Sequence, residues 1–281
     1  MALDTPCQTS KPINDGILAR ILTICAVKVI THRFLRRFWD HPGGALFVSR
    51  FCIKAKHFTT LAEAHTMQFV ANHTSIPVPR VYCAFTYHGR TYIVMERIDG
   101  TPVASRWALR PKESQEKILS QLKDMAQQLR NVSPPEGIGV ANIEGGPIYD
   151  GRLPGQSFWG PFSTTNDFHK KLRNDVEFDF DPSNAPDGVV EFVNFHKQSF
   201  PKSVLTHGDL SSFNILVKGD KVVGIIDWET AGWLPPYWEY VCAWNVNPYN
   251  EFWQQEVDRF LTPLPHELRM DCIRMRYFGD F

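Results

Sequence analysis

Apolar positions in this chain follow a helical period, then an alternating one, then a helical one again. The run ILARILTICAVKVI is apolar and helical in character, and residues 14–39 read as helical in parts, closing on the basic cluster THRFLRR. The plainest reading of that cluster is a solvated helix face. From 45 to 56 the residues ALFVSRFCIKAK read as one strand or two short ones. In TTLAEAHTMQFVANHT, Glu63, Met67 and Val70 share a helical face, and Pro77 and Pro79 stop that helix. VYCAFTY and TYIVMER then alternate around His88-Gly89, which predicts a hairpin.

Beyond Ile98 the helical period dominates. ESQEKILSQLKDMAQQLRN carries Ile118, Leu119, Leu122, Met125, Ala126 and Leu129 as one stripe, with Asn131 where a C-cap would stand. Residues 133–163 are rich in Gly and Pro and read as a long ordered loop of the kind that often carries function. Short helical patterns come next, near 165–174 and 188–198. FNILV and KVVGII then form a hairpin turning at Lys218-Gly219-Asp220, and PHELRMDCIRMRYF reads as a last helix. The expectation is an α+β chain of two lobes: 1–97, an antiparallel sheet with one key helix, and 98–281, mostly helical and carrying the late hairpin.

Composition agrees with that division. At 281 residues the chain exceeds the size at which one core usually stops growing. With 43% hydrophobic and 21% charged residues it is an ordinary globular protein. Thirty Lys+Arg balance thirty Asp+Glu, so there is no global pull toward nucleic acid or an anionic membrane, local patches aside. The expected partners therefore include neither. Six scattered cysteines with no C-x-x-C fit a reducing compartment. The start is polar and lacks the order of a signal peptide, and the best apolar run carries Arg20 and Lys28 and is too short to span a bilayer. A cytoplasmic location is expected.

The candidate chemistry lies in THGDLSSFNILVKGDKVVGIIDW. An antiparallel hairpin brings Asn214, at the start of one strand, to Asp227, just past the end of the other. Two hard oxygen donors suit Mg²⁺ that also keeps phosphate oxygens and water. A third acid, Asp209, lies five residues before Asn214, so a tight loop turns both toward one point. A carboxylate there can accept a proton from a hydroxyl nucleophile.

H-G-D-L-S-S-F-N followed by I-I-D-W resembles the aminoglycoside phosphotransferase and choline kinase family, which has the protein-kinase-like fold. The runs SIPVPRVYCAFTY, TYIVMERI, GGPIYDGRLPG and IDWETAGWLPPYWEYV resemble its fungal branch, and the likeness covers roughly residues 45–245. The resemblance implies an ATP- and Mg²⁺-dependent kinase. It makes Asp209 the catalytic aspartate, Asn214 and Asp227 the metal ligands, and His207 a support of the catalytic loop. A kinase-like nucleotide lobe also needs a strand lysine at the phosphates, paired with a helical glutamate. FCIKAK offers Lys54 and Lys56; Cys52, two residues before Lys54, fits the small residue that lines the adenine pocket, so Lys54 is chosen. Glu63 is its partner, against the rival capping box Thr60-x-x-Glu63. In place of G-x-G-x-x-G there is only Gly43-Gly44, which could cap phosphates or form a plain turn. Glu96 and Ile98, in the connector, are the candidates for hydrogen bonds to adenine.

Several departures favour a small hydroxylated acceptor over a protein. Ser211 stands where Ser/Thr kinases carry lysine, D-F-G is replaced by Asp227-Trp228-Glu229, and no A-P-E comes after it. Glu229 and Glu239, among Trp228, Trp233, Tyr237, Trp238 and Tyr240, are candidate walls of the acceptor site, although those aromatics also suit a core. The acceptor classes left open are an amine-alcohol, a sugar or another hydroxylated metabolite. Two alternatives are a pseudokinase, opposed by the intact Lys54, Asp209, Asn214 and Asp227, and a metallophosphoesterase using Asp167-Phe168-His169 and Gly208-Asp209. The latter lacks a G-N-H and puts its D-x-H in a helical pattern.

Overall fold

The computed structural model describes residues 10–34, 44–57, 60–176, 185–245 and 251–279. Helix α1 (Ile17–Ile30) ends where the Thr31 N–H and hydroxyl both return to Val27 O, at 2.9 and 2.7 Å. Thr31–Phe34 are therefore turns past the helix rather than a helix face, and the rest of the THRFLRR cluster lies outside the described residues.

The stretch 45–56 is two strands, β1 (Ala45–Val48) and β2 (Phe51–His57), turning at Ser49-Arg50. After α2 (Ala62–His73) come β3 (Val81–Tyr87) and β4 (Arg90–Glu96), joined through His88 and Gly89, both at positive φ as a tight hairpin turn requires. The four strands make one antiparallel sheet in the order β1-β2-β4-β3. Side chains alternate across it. Ile53 joins Val27 and Ile30 of α1 on one face, with Leu46, Cys83, Phe85 and Tyr92. Cys52 and Ile93 pack on the other, with Leu61, Ala64 and Met67 around α2. That second face also carries Lys54.

The chain then enters a helical lobe. β5 (Thr101–Pro102) pairs with a later hairpin strand, and a short 3-10 segment over Val103–Leu109 leads to α3 (Lys112–Asn131). Ile118, Leu119, Leu122, Ala126 and Leu129 of α3 are buried, as the stripe predicts. Asn131 is the last helical residue rather than the cap, which is Val132. Within 133–163, β6 (Ile148–Tyr149) and β7 (Phe158–Trp159) form a small hairpin. Helices α4 (Thr165–Leu172) and α5 (Val189–His196) come next. β8 (Val204–Thr206) leads into the hairpin β9 (Ile215–Lys218) and β10 (Lys221–Ile225), and β11 (Gly232–Leu234) returns to pair with β8. Helices α6 (Trp238–Asn245), α7 (Glu251–Phe260) and α8 (Pro265–Phe278) complete the lobe.

Trp159, Trp228, Trp233, Trp253 and Tyr240 are among its fully buried side chains. Trp228, Trp233, Tyr237, Trp238 and Tyr240 are thus core. Among the described residues no helix is long and apolar enough to cross a membrane.

Candidate active site

The β9–β10 hairpin brings its two functional ends together through the backbone. Ile226 N–H donates to Asn214 O at 3.0 Å, and Ile225 N–H donates to Pro77 O at 2.8 Å, tying the hairpin to the segment before β3. A register shift between Val222 and Gly224 bends β10. Asp227 then takes a left-handed conformation, φ 66°, rare for a non-glycine residue. Trp228 anchors the turn, its indole N–H donating to Ile225 O at 2.9 Å.

Facing this end is the loop between β8 and β9. Gly208 has φ 79°, and a Cβ there would stand 3.0 Å from Thr230 O, so glycine is required. Asn214 Nδ2 donates to Asp209 Oδ2 at 2.9 Å and to Asp209 O at 3.0 Å. Asp209 Oδ1 is buried and accepts no hydrogen bond within the described residues. Burial pushes the Asp209 carboxyl up to about 7, with the Asp227 charge adding to it and Arg152 and Asn214 opposing.

Several side chains hold the loop, His207, Glu239 and Arg152 among them. His207 Nδ1 accepts from Asp209 N–H at 3.1 Å, and its Nε2–H donates to Ile226 O at 3.1 Å, so the neutral Nε2–H form fits. Burial lowers its pKa to about 4, which keeps that form. Glu239 is buried and accepts from His207 N–H at 2.6 Å and Gly208 N–H at 3.0 Å. It is therefore no acceptor wall. Arg152 donates to Asp150 from Nε and Nη2, each at 2.8 Å, and to Gly208 O from Nη2 at 2.6 Å; its Nη1 lies 3.9 Å from Asp209 Oδ1. Sequence reasoning missed Arg152, Asp150 and this use of Glu239. The one available signal was an arginine in a Gly/Pro-rich loop, within GGPIYDGRLPG.

The sheet supplies the other half. Lys54 on β2 meets Glu63 of α2 and donates to Asp227 Oδ1 at 2.6 Å. Burial would lower its pKa, but Glu63 and Asp227 outweigh that and hold the ammonium protonated. Burial pushes Asp227 up, but the charge and hydrogen bond of Lys54 together with the charge of Lys56 outweigh it, and the net shift is downward. Glu63 forms no capping box: Thr60 Oγ1 accepts instead from Ala62 N–H at 3.2 Å. Lys56 pairs separately with Glu229 at 2.6 Å. Cys52 lies buried beside Lys54 on β2, and burial raises its thiol to about 11.

In the connector, Glu96 and Arg97 N–H groups donate to Arg80 O and Arg50 O, both at 2.9 Å, and Ile98 O accepts from Gly100 N–H at 3.1 Å. The Ile98 side chain packs over Gly224, where a Cβ would stand 2.3 Å from its Cδ1. Gly44 has φ 77° at the entry to β1, and Gly43 lies outside the described residues.

The donor set fits a hard divalent cation. Asp227 is held ionised, and Asn214, bonded to Asp209, lies across the hairpin from it through the Ile226–Asn214 backbone bond. Oxygens of Glu63, Asp227 and Glu229 also lie within 4.8 Å of one another. Lys54 and Lys56 offset the repulsion in that cluster.

A two-lobed α+β fold with a strand lysine, a helical glutamate and a hairpin aspartate in contact defines a protein-kinase-like phosphotransferase architecture. A family model described as the phosphotransferase enzyme family, APH, matches residues 31–270, and the chain belongs to that family. Among solved structures, a thermostable mutant of the aminoglycoside phosphotransferase APH(4)-Ia superposes with a TM-score of 0.58 at 16% identity, covering 83% of this chain and 79% of that one. The gentamicin complex of APH(2")-IIa gives 0.53 at 11% identity, covering 94% and 88%. These likenesses are of fold. A subtelomeric hrmA-associated cluster protein of Aspergillus fumigatus is 32% identical over 77 residues, which is 26% of this chain and 15% of that relative's length.

Proposed function

We propose that this phosphotransferase uses ATP and Mg²⁺ to phosphorylate a hydroxyl of a small molecule. The observation that carries the reading is the convergence of Lys54, Glu63 and Asp227 from one side with Asp209 and Asn214 from the other. Residues 1–97 would form the nucleotide lobe and 98–281 the catalytic lobe. Lys54, steadied by Glu63, would meet the α- and β-phosphates. Asn214 and Asp227 would hold Mg²⁺, which would supply charge neutralisation for the phosphates during transfer. The Glu96 carbonyl and Ile98 N–H would meet the adenine edge beside Cys52, and Gly43-Gly44 would lie near the phosphates. Asp209 Oδ1, which accepts no hydrogen bond among the described residues, would take the acceptor's proton as the acceptor oxygen attacks the γ-phosphorus in line. The bond to the β–γ bridging oxygen breaks and ADP departs. His207 and Glu239 act through the loop backbone, as positioning residues.

Support for a small acceptor comes from the short path of the chain after Asp227. Only a 3-10 turn over Trp228–Thr230 and the short β11 separate it from α6, and β11 is paired to β8. This leaves no long segment on which to lay a peptide. Charge narrows the class further. Asp150 is bound by Arg152, Glu229 by Lys56, and Glu239 by two backbone N–H groups. Each of these acids near Asp209 already has an internal partner, while the Arg152 side chain stays 37% exposed beside Asp209. A neutral polyol, or an alcohol with a single amine, suits this site better than a polycation.

The test is acceptor-dependent ADP release across sugars, polyols, amine-alcohols and a polycationic aminoglycoside. Turnover is expected with one of the first three groups, and Asp209→Asn should lower it about 10²–10⁴-fold while leaving ATP binding intact. Turnover only with the polycation would overturn the acceptor class. Undiminished turnover in Asp209→Asn would overturn the base.

A further inference from the structure

Helix α1 is apolar on both sides. Its inner side, Thr23, Val27 and Ile30, is buried, and Val27 and Ile30 lie on the sheet face that Ile53 and Phe85 share. Its outer side carries Ile17, Leu18, Ile21, Leu22, Cys25 and Val29, all exposed or half-exposed, with Leu18 76% and Leu22 68% exposed. With 3.6 residues per turn these six fall in one arc of about 140°. A helix apolar all round is ordinarily buried, and a contiguous apolar patch on a surface marks a contact with something else.

Charge indicates what that something is. The chain is neutral overall, yet residues 16–39 hold five Lys/Arg and no Asp or Glu. Arg20 is taken up by Asp15 and lies over Phe85. Lys28 lies within the exposed arc, and His32, Arg33 and Phe34 come after it, all exposed. Arg36, Arg37, Phe38 and Trp39 come next in the sequence, outside the described residues. Apolar side chains on one helix face, flanked by basic and aromatic residues, are the requirements for lying in the interface of an anionic bilayer. A second copy packed with its α1 parallel would bring the two basic ends together, which like charges disfavour.

We propose that the outer face of α1, together with Lys28 and Arg33, docks on an anionic lipid surface. The apolar arc enters the acyl boundary while Lys28 and Arg33 meet headgroup phosphates. Because α1 covers the sheet face opposite Lys54, the cleft stays open to its substrates in the docked state. The inference does not depend on the acceptor or on turnover.

Co-sedimentation of the full chain with phosphatidylcholine vesicles, with and without phosphatidylserine, tests it. Phosphatidylserine should raise the bound fraction at least about tenfold, since each basic side chain at the surface contributes on the order of fivefold, and added salt should reverse the gain. Leu18→Glu with Leu22→Glu should abolish binding without moving the unfolding midpoint, both sites being exposed. Lys28→Glu with Arg33→Glu should reduce binding to the level seen on neutral vesicles. Equal or absent binding to the two vesicle types would overturn the proposal. So would a dimer in light scattering that Leu22→Glu disperses, which would assign the face to a second copy.

Discussion

Asp209 and Asp227 sit at opposite sides of one hairpin, and their surroundings push them apart. Lys54 holds Asp227 low despite its burial, whereas burial lifts Asp209 to about 7. Two carboxylates of unequal proton affinity are what a metal ligand beside a base requires. The loop bearing Asp209 depends on Glu239, the acceptor for two of its buried N–H groups. Glu239→Ala should therefore cost about 1–3 kcal/mol, read as a lower unfolding midpoint, and should lower turnover more than ATP affinity. Asp209, Asn214 and Asp227 were legible in the sequence because one loop and one hairpin hold all three. Arg152 and Glu239 were not. They reach the loop from 56 residues before Gly208 and 32 residues after His207, through contacts that no local spacing encodes.

Among the elements, the β2–α2 contact is the one that fixes the lysine. Lys54 and Glu63 are both buried, and Glu63→Ala would leave the ammonium with Asp227 alone. Losing one partner of a buried pair costs roughly 3–5 kcal/mol, so denaturant unfolding should show a loss near the lower end, with Asp227 as the remaining counter-charge. A second contact joins α4 to α5. His169 and His196 stack at 4.1 Å, and His169 Nε2 is 2.7 Å from the Tyr237 hydroxyl. Burial holds His169 at about 3 and lowers His196 further, from an ordinary 6.5. Between those limits these two sites bind more protons in the unfolded chain than in the folded one. The stability they contribute is full above about pH 6.5 and falls as pH drops toward 3, by about 1.4 kcal/mol per unit per histidine, while Asp209, raised to about 7, works the other way over part of that range. Unfolding midpoints of the parent and of His169→Gln measured from pH 7.5 downward should therefore diverge, the variant losing less stability in acid. Existence and type of these elements could be read from periodicity. The errors fell at ends, where Asn131 stays helical and the basic cluster leaves α1, because caps are set by a single residue's backbone.

At the scale of the whole molecule, the lobes meet through charge as well as backbone. Lys54–Asp227 and Lys56–Glu229 both join β2 to the segment after β10, and Ile98 packs into the space left by Gly224. The α+β, two-lobed class was legible from the change of period along the chain. The exposed face of α1 was not: whole-chain neutrality averages away its local charge, and periodicity cannot tell a helix covered on one side from one covered on both. The measurement that bears most directly on the site is a thermal melt with and without ATP and Mg²⁺, for the parent and for Asp227→Ala. At about 100-fold excess over Kd a ligand adds roughly 2.7 kcal/mol, a rise of about 5 °C. A rise of that size that requires magnesium and is lost in Asp227→Ala is the expected result. No rise in the parent, or an equal rise in the mutant, would contradict a magnesium-nucleotide site at this hairpin.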